Sequence, residues 1–170
     1  LLTATVRTDG SSKFGANHRY ATFPALAVKW KVMNESFAPK TLFDDLSVRV
    51  NYGKTGNQEF PPYQSLSIFQ TDLTGNATQL YFPNPNLKWE TTTAYGAGID
   101  FSIIGSRLSG TVDYFHKSTK DLLFFQTFPQ PTAAPGIWRN LAGNVINEGL
   151  ELGLNFQAVQ GSKFQWDINY

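Results

Sequence analysis

Several features that mark familiar protein classes are absent from this sequence of 170 residues. It has no cysteine, which excludes a disulfide framework, a thiolate zinc site and a cysteine nucleophile and leaves the redox compartment open. An excess of one charge is also missing, because 14 basic and 13 acidic side chains nearly cancel. Nucleic-acid phosphates therefore have no basic stripe to bind, and no nucleic-acid partner is expected. No apolar run approaches the roughly 18 residues of a transmembrane helix, so a helical membrane protein is excluded.

What the sequence does contain is a repeated alternation of apolar and polar residues with a period of two, which is typical of β-strands. In residues 164–170, large apolar or aromatic side chains occupy every even position and polar ones every odd position. The same pattern recurs at residues 2–6, 24–32, 46–52, 95–103, 108–114 and 150–158. The sequence therefore predicts an all-β fold with about seven antiparallel strands and no long helix.

The connections between these strands alternate between long and short. The long ones cover residues 8–19, 54–88 and 118–143, and the short ones cover residues 34–44, 105–106 and 160–162. All the long loops therefore fall at one end of the sheet. Connections beyond about 12 to 15 residues are unusual in compact domains unless they carry function or contain unrecognised structure. We expect the functional surface at this end.

Two architectures fit such strands, a soluble sandwich and a transmembrane β-barrel. The polar face is rich in Gly, Ser, Thr and Asn, which suits a water-filled lumen. Segments 92–102 and 145–158 reach the roughly 9 to 11 residues that a tilted strand needs to cross a bilayer. Aromatic residues gather near the strand ends, as in interfacial belts, although core packing would also explain them. We predict a membrane barrel and keep a soluble all-β carbohydrate-binding module as the alternative.

An odd strand number, with both chain ends inside strands, predicts that the chain is a fragment of a larger barrel, because bacterial single-chain barrels have even strand numbers. Several sequence blocks support this expectation. They are RTDGSSKFG at 7–15, RYATFP at 19–24, VRVNYGKTGNQ at 48–58, NPNLKWETT at 84–92, LSGTVDYF at 108–115 and NVINEGLEL at 144–152. Together they resemble the SusC/RagA-type TonB-dependent outer-membrane transporters of Bacteroidetes.

The resemblance implies that residues 1–170 are the C-terminal part of a transmembrane β-barrel of about 22 strands. It also implies that the plug domain and the TonB box lie outside this chain. Such transporters import oligosaccharides, or peptides in some members, with a SusD-like surface lipoprotein and with force from TonB. The resemblance thus predicts a multi-pass protein of the bacterial outer membrane, in contact with lipid, whose long loops are extracellular.

Catalytic and metal-binding patterns are weak. No nucleophile-elbow motif and no metal-ligand spacing occur, and neither His18 nor His116 has an orienting partner nearby in sequence. We expect no enzyme activity and no cofactor. A glycosidase would require two carboxylates that converge on one cleft.

Binding is the more plausible use of the loops, because sugars are held by aromatic faces together with amide groups. The candidate ligand contacts are Asn57, Gln58, Tyr81, Trp89, Trp138 and Asn140. The candidate lumen-lining residues, whose charges could line a transport path, are Arg7, Lys29, Arg49 and Asp113. The loop residues could equally pack their own loops, and the charged residues could pair across strands.

Overall fold

The computed structural model describes residues 1–161 and 164–170. Within them, the strands are β1 Leu2–Gly10, β2 Tyr20–Lys31, β3 Asp45–Asn57, β4 Ile68–Thr71, β5 Ala77–Tyr81, β6 Glu90–Ile103, β7 Leu108–Lys120, β8 Leu123–Thr127, β9 Gly136–Asn140, β10 Asn144–Gln160 and β11 Gln165–Asn169. Short 3-10 helices cover Ala16–His18 and Val32–Asn34. None of the helices in this described part is long and apolar enough to span a membrane.

Seven strands form one antiparallel sheet in the order β1-β2-β3-β6-β7-β10-β11. The predicted all-β fold with seven antiparallel strands is confirmed. The predicted connection at residues 160–162 falls partly on Ser162, which lies outside the described residues.

The two longest connections were predicted as loops, but each of them contains regular structure. The segment between β3 and β6 contains the hairpin β4–β5, and the segment between β7 and β10 contains the hairpin β8–β9. Three main strands also extend into the predicted long loops, because β1 continues to Gly10, β3 to Asn57 and β7 to Lys120. Their last residues are polar on both faces, so the apolar alternation that marks the strands ends before the strands do.

The strand register places the apolar residues of neighbouring strands on a common face. Val48 lies opposite Ile99, Ile99 opposite Val112, and Val112 opposite Leu152. We call this side the outward face. Several of its central side chains are exposed, among them Ile99 at 44%, Val112 at 40% and Leu152 at 53%, and others such as Val48 are half-buried. A soluble sandwich would bury this face under a second sheet, whereas within the described residues nothing covers it.

The hydrophobic core of the chain lies among the loops and not on the sheet. Phe14, Phe23, Phe60, Leu87 and Trp89 form one buried cluster, which we call the loop core. Four of these residues lie in the long connections, with Trp89 directly before β6, and Phe23 lies in β2. The long-loop end is therefore a packed unit in its own right.

Candidate functional site: the long-loop end and the inner wall

The three long connections pack on one another through the loop core. Phe14 comes from the β1–β2 connection, while Phe60 and Trp89 come from the β3–β6 connection. The Phe14 ring centroid lies 5.1 Å from that of Phe60 and 5.0 Å from that of Trp89. The third connection contributes Leu123 and Trp138, which pack against the same cluster. Segments far apart in sequence thus share one hydrophobic core.

Hydrogen bonds from two asparagines tie the segment before β6 to the β8–β9 hairpin. The Asn140 amide accepts from the backbone N–H of Lys88 at 3.0 Å and donates to the Lys88 carbonyl at 2.8 Å. It also donates to the Asp121 carbonyl at 2.8 Å. Asn84 donates to the carbonyl of Trp138 at 2.9 Å. These side chains replace backbone partners that the irregular segment lacks.

A close approach between the first two connections explains one glycine of the family-like block at 7–15. Gly15 lies against the carbonyl group of Pro85, and any Cβ at this position would overlap that group. Only glycine fits such a contact without a shift of one loop. The local sequence of the block gives no sign of this contact, because Pro85 lies 70 residues further along the chain.

Three of the predicted ligand contacts instead pack against, or bond to, other parts of the loops. Trp89 is only 7% exposed, and its indole N–H donates to the carbonyl of Arg19 at 3.3 Å. Trp138 is half-buried, with its ring centroid 5.9 Å from Phe60 and 5.6 Å from Phe125. Asn140 makes the bonds to the chain described above. For these three, the structure shows the loop packing that the sequence had left open.

The other three predicted contacts lie nearer the surface. Asn57 is exposed at the end of β3, where its amide donates to Glu90 Oε1 at 3.2 Å. Gln58 is half-buried, and its side-chain oxygen has no hydrogen-bond partner in the described part of the chain. Tyr81 is half-buried at the end of β5, opposite Ile68.

A groove at this end was not foreseen from sequence. It has a volume of about 530 Å³ and lies between the segment before β6 and the β8–β9 hairpin. The residues that line it are Asn84, Asn86, Lys88, Gln126, Phe128, Ile137, Arg139 and Asn140. Arg139 donates to Gln126 Oε1 at 2.7 Å across the hairpin. Of the predicted ligand contacts, only Asn140 is in this group.

On the inner face of the sheet, three of the predicted lumen residues meet in one ion-pair network. Arg49 binds both carboxylate oxygens of Asp113, at 3.0 and 3.1 Å. It also binds Asp100, with its Nε 3.0 Å from each carboxylate oxygen. Lys29 completes the network with a bond of 2.9 Å to Asp100. We call these four residues the wall network; its charges are two positive and two negative.

Asp100 is the member that the sequence reasoning missed, although its position in the alternation places it on the polar face of β6. Gly98 makes room for the network, because a Cβ there would overlap the carboxylate of Asp113. The fourth predicted lumen residue, Arg7, is separate. It pairs with Asp9 at 2.9 Å and lies over the ring of Phe23, 5.7 Å from its centroid.

His116 does have a partner, which lies on the neighbouring strand and not nearby in sequence. Its Nδ1 lies 2.7 Å from Glu148 Oε2, and its ring stacks on Tyr95 with a centroid distance of 4.6 Å. Among the described residues there is no group of three or more His, Asp or Glu residues placed to hold a metal ion.

Comparison with known proteins agrees with this architecture. Residues 1–170 match the family described as TonB dependent receptor-like, beta-barrel. The chain is 36% identical over 174 residues to TonB-dependent receptor P26 of Formosa agariphila, covering 98% of this chain and 18% of that protein. It is 32% identical over 182 residues to TonB-dependent receptor SusC of Bacteroides thetaiotaomicron, covering 100% of this chain and 18% of SusC.

A solved structure, the RagAB peptide importer in its open-open state, superimposes with a TM-score of 0.84 at 26% identity. The match covers 99% of this chain and 19% of that one. The chain therefore spans less than a fifth of the length of each of these three relatives. Proteins of this family lie in the outer membrane, cross it with strands and are not enzymes. The alternative of a soluble carbohydrate-binding module is therefore wrong, and the chain belongs to the TonB-dependent receptor β-barrel family, in its SusC/RagA type.

Proposed function

We propose that the full-length protein imports oligosaccharides, or peptides, across the outer membrane in a TonB-dependent manner. In this proposal, residues 1–170 form part of the barrel wall and part of the substrate-side rim, a SusD-like lipoprotein is the partner, and the plug domain and TonB contact come from other parts of the protein. The observation that carries the proposal is the loop core, which joins three long loops into one ordered rim at one end of a membrane-crossing sheet.

Peptide cargo is retained because the similar RagAB is described as a peptide importer. Oligosaccharide cargo is supported by the rim itself, which combines amide groups with an aromatic ring. We propose that Asn57, Gln58 and Tyr81 contact cargo directly, while Trp89, Trp138 and Asn140 hold the loops in place. The wall network then lines the transport path with a surface whose charges are mutually neutralised.

Uptake by whole cells tests the activity. A strain that lacks this gene should fail to take up one class of labelled cargo, either oligosaccharides or peptides. The full-length gene should restore uptake, except in a strain that lacks TonB. Uptake that persists without TonB would contradict the proposal.

Binding to the purified complex tests the rim. Replacing Asn57 by Ala should weaken cargo binding about 2- to 10-fold, since one hydrogen bond contributes about 0.5–1.5 kcal/mol. Gln165→Ala is a matched control, because this exposed polar residue begins β11 at the opposite end of the sheet. Equal losses for both variants would contradict a cargo site at the rim.

A further inference from the structure

The connection between β2 and β3, residues 32–44, carries large apolar side chains past the ends of the strands. Phe37 is 67% exposed and Leu42 is 62% exposed. We propose that this connection lies within the membrane leaflet at the short-turn end of the barrel, with Phe37 and Leu42 among phospholipid acyl chains. The sheet itself already faces lipid; the proposal extends the lipid contact to a segment outside the strands.

Trp30 shows on which side of the wall this segment lies. Its register partner is Val48, so its side chain belongs to the outward face. Its ring centroid lies 6.1 Å from that of Phe37, and its indole N–H donates to Glu35 Oε1 at 3.0 Å. Phe37 therefore continues the outward face and does not turn towards the lumen.

The dimensions of the apolar band point the same way. On β3, the outward apolar residues run from Leu46 to Tyr52, which is about 20 Å along the strand at roughly 3.3 Å per residue. At a tilt of about 40°, this covers about 15 Å of membrane thickness, whereas the apolar band of such barrels is about 25 Å tall.

The missing thickness of about 10 Å lies at the short-turn end. Beyond Tyr52, the next residue of the same parity is the charged Lys54, so the band does not extend towards the long loops. Below Leu46 the chain leaves the sheet, and the exposed large apolar side chains of the connection are Phe37 and Leu42. They are joined by Ile104 of the β6–β7 turn, which is also exposed.

Several backbone N–H groups of the connection are paired within the chain, which lowers the cost of placing the segment in lipid. The N–H of Glu35 donates to the Val32 carbonyl at 3.0 Å, and that of Leu42 donates to the Pro39 carbonyl at 3.0 Å. The Asp44 carboxylate accepts from the N–H of Ser106 at 2.8 Å, which joins the connection to the β6–β7 turn. The segment is therefore held in place against the barrel.

Spin-label accessibility in the full-length protein tests the proposal. The protein is placed in nanodiscs of phosphatidylethanolamine and phosphatidylglycerol, with any cysteines outside residues 1–170 replaced by serine. Labels are attached to Phe37→Cys and Leu42→Cys, and to Leu73→Cys as a control, because Leu73 is fully exposed in the β4–β5 turn. If either of the first two variants fails to assemble, the other carries the test together with Ile104→Cys, for which the same result is expected because Ile104 is exposed beside this connection.

We expect collision with dissolved oxygen to exceed collision with water-soluble nickel chelate several-fold at positions 37 and 42, and the reverse at position 73. Preferential collision with the nickel chelate at 37 and 42 would show exposure to water and overturn the proposal. Low collision with both reagents would show a protein covering the segment, and it would overturn the proposal as well.

Discussion

Replacing Leu87 by alanine tests whether the three long loops open as one unit. Leu87 is 0% exposed and lies in the loop core beside residues of the other connections. Buried Leu→Ala substitutions cost about 2.7–5.0 kcal/mol, depending on how far the cavity collapses. We expect about 3 kcal/mol here, because a core made of loops can partly close around the cavity.

That loss corresponds to a rise of about 150-fold in the opening equilibrium of the loops. Amide hydrogen exchange of the full-length protein, followed by mass spectrometry, measures it directly. Peptides around Phe14, Phe60 and Trp138 should lose protection together, while peptides from the membrane-spanning parts of β7 and β10 keep theirs. Leu73→Ala is the control, because this side chain is fully exposed and should change nothing.

Two outcomes would refute the reasoning. If only the peptide around Leu87 lost protection, the three connections would not share one core. If the membrane-spanning strands lost protection to the same degree, the loop core would not be separable from the barrel wall.

Three further predictions concern the wall, the membrane face and the β4–β5 turn. Arg49→Gln should lower the free energy of unfolding by about 1–3 kcal/mol, because it leaves the half-buried Asp113 without its partner and Asp100 with Lys29 alone. Gly98→Ala should act in the same direction, and strictly additive losses in the double variant, measured by denaturant titration, would contradict a shared network. Leu152→Arg should cost about 2–4 kcal/mol in refolding into vesicles, whereas Asn155→Arg on the inner face should cost much less, and equal losses would show that the faces are wrongly assigned. Hydrogen bonds, first of all that from the Thr74 hydroxyl, lower the pKa of Asp72 to about 2. Because this folded pKa lies below the usual value of 3.8, the turn keeps its stability above about pH 4 and loses it as the pH falls through about 2. Amide exchange of residues 68–81 should therefore rise only in that pH range, and a rise near neutral pH would contradict the prediction.

The alternation predicted the seven main strands because the surroundings of the sheet impose it. A face in contact with lipid must be apolar at every second residue, and a face in contact with water tolerates small polar residues. Where a strand leaves the apolar band, as β3 does after Tyr52, this constraint ends. The prediction therefore stopped short of the true strand end at Asn57.

The two hairpins were missed for a related reason. Their strands are four or five residues long and lack a clean apolar face. One local signal was present in the sequence, the Asp72-Leu73-Thr74-Gly75-Asn76 segment. Asp72 accepts hydrogen bonds from residues 74 and 76, and Gly75 has a φ of 88°, which is the chemistry of a tight turn.

The surroundings of the loop residues could not be derived from local sequence, because they depend on contacts between distant segments. The local sequence around an aromatic loop residue does not distinguish a residue that contacts a ligand from one that packs against another loop. Trp89 is buried by Phe14 and Phe23, which precede it by more than sixty positions. By contrast, the pairing of Arg49 with Asp113 follows the alternation, and an inspection of the polar face alone would have included Asp100.

The shared loop core has a consequence for engineering. If a single rim segment were replaced by that of a relative, its contacts with the other two segments would no longer match. The Asn140 amide, the Lys88 backbone and the Gly15 contact belong to different segments. Chimeras that change cargo preference should therefore exchange all three segments as a set. An epitope tag or a fluorophore belongs instead at Leu73, whose side chain is fully exposed, so that no other segment would have to adjust.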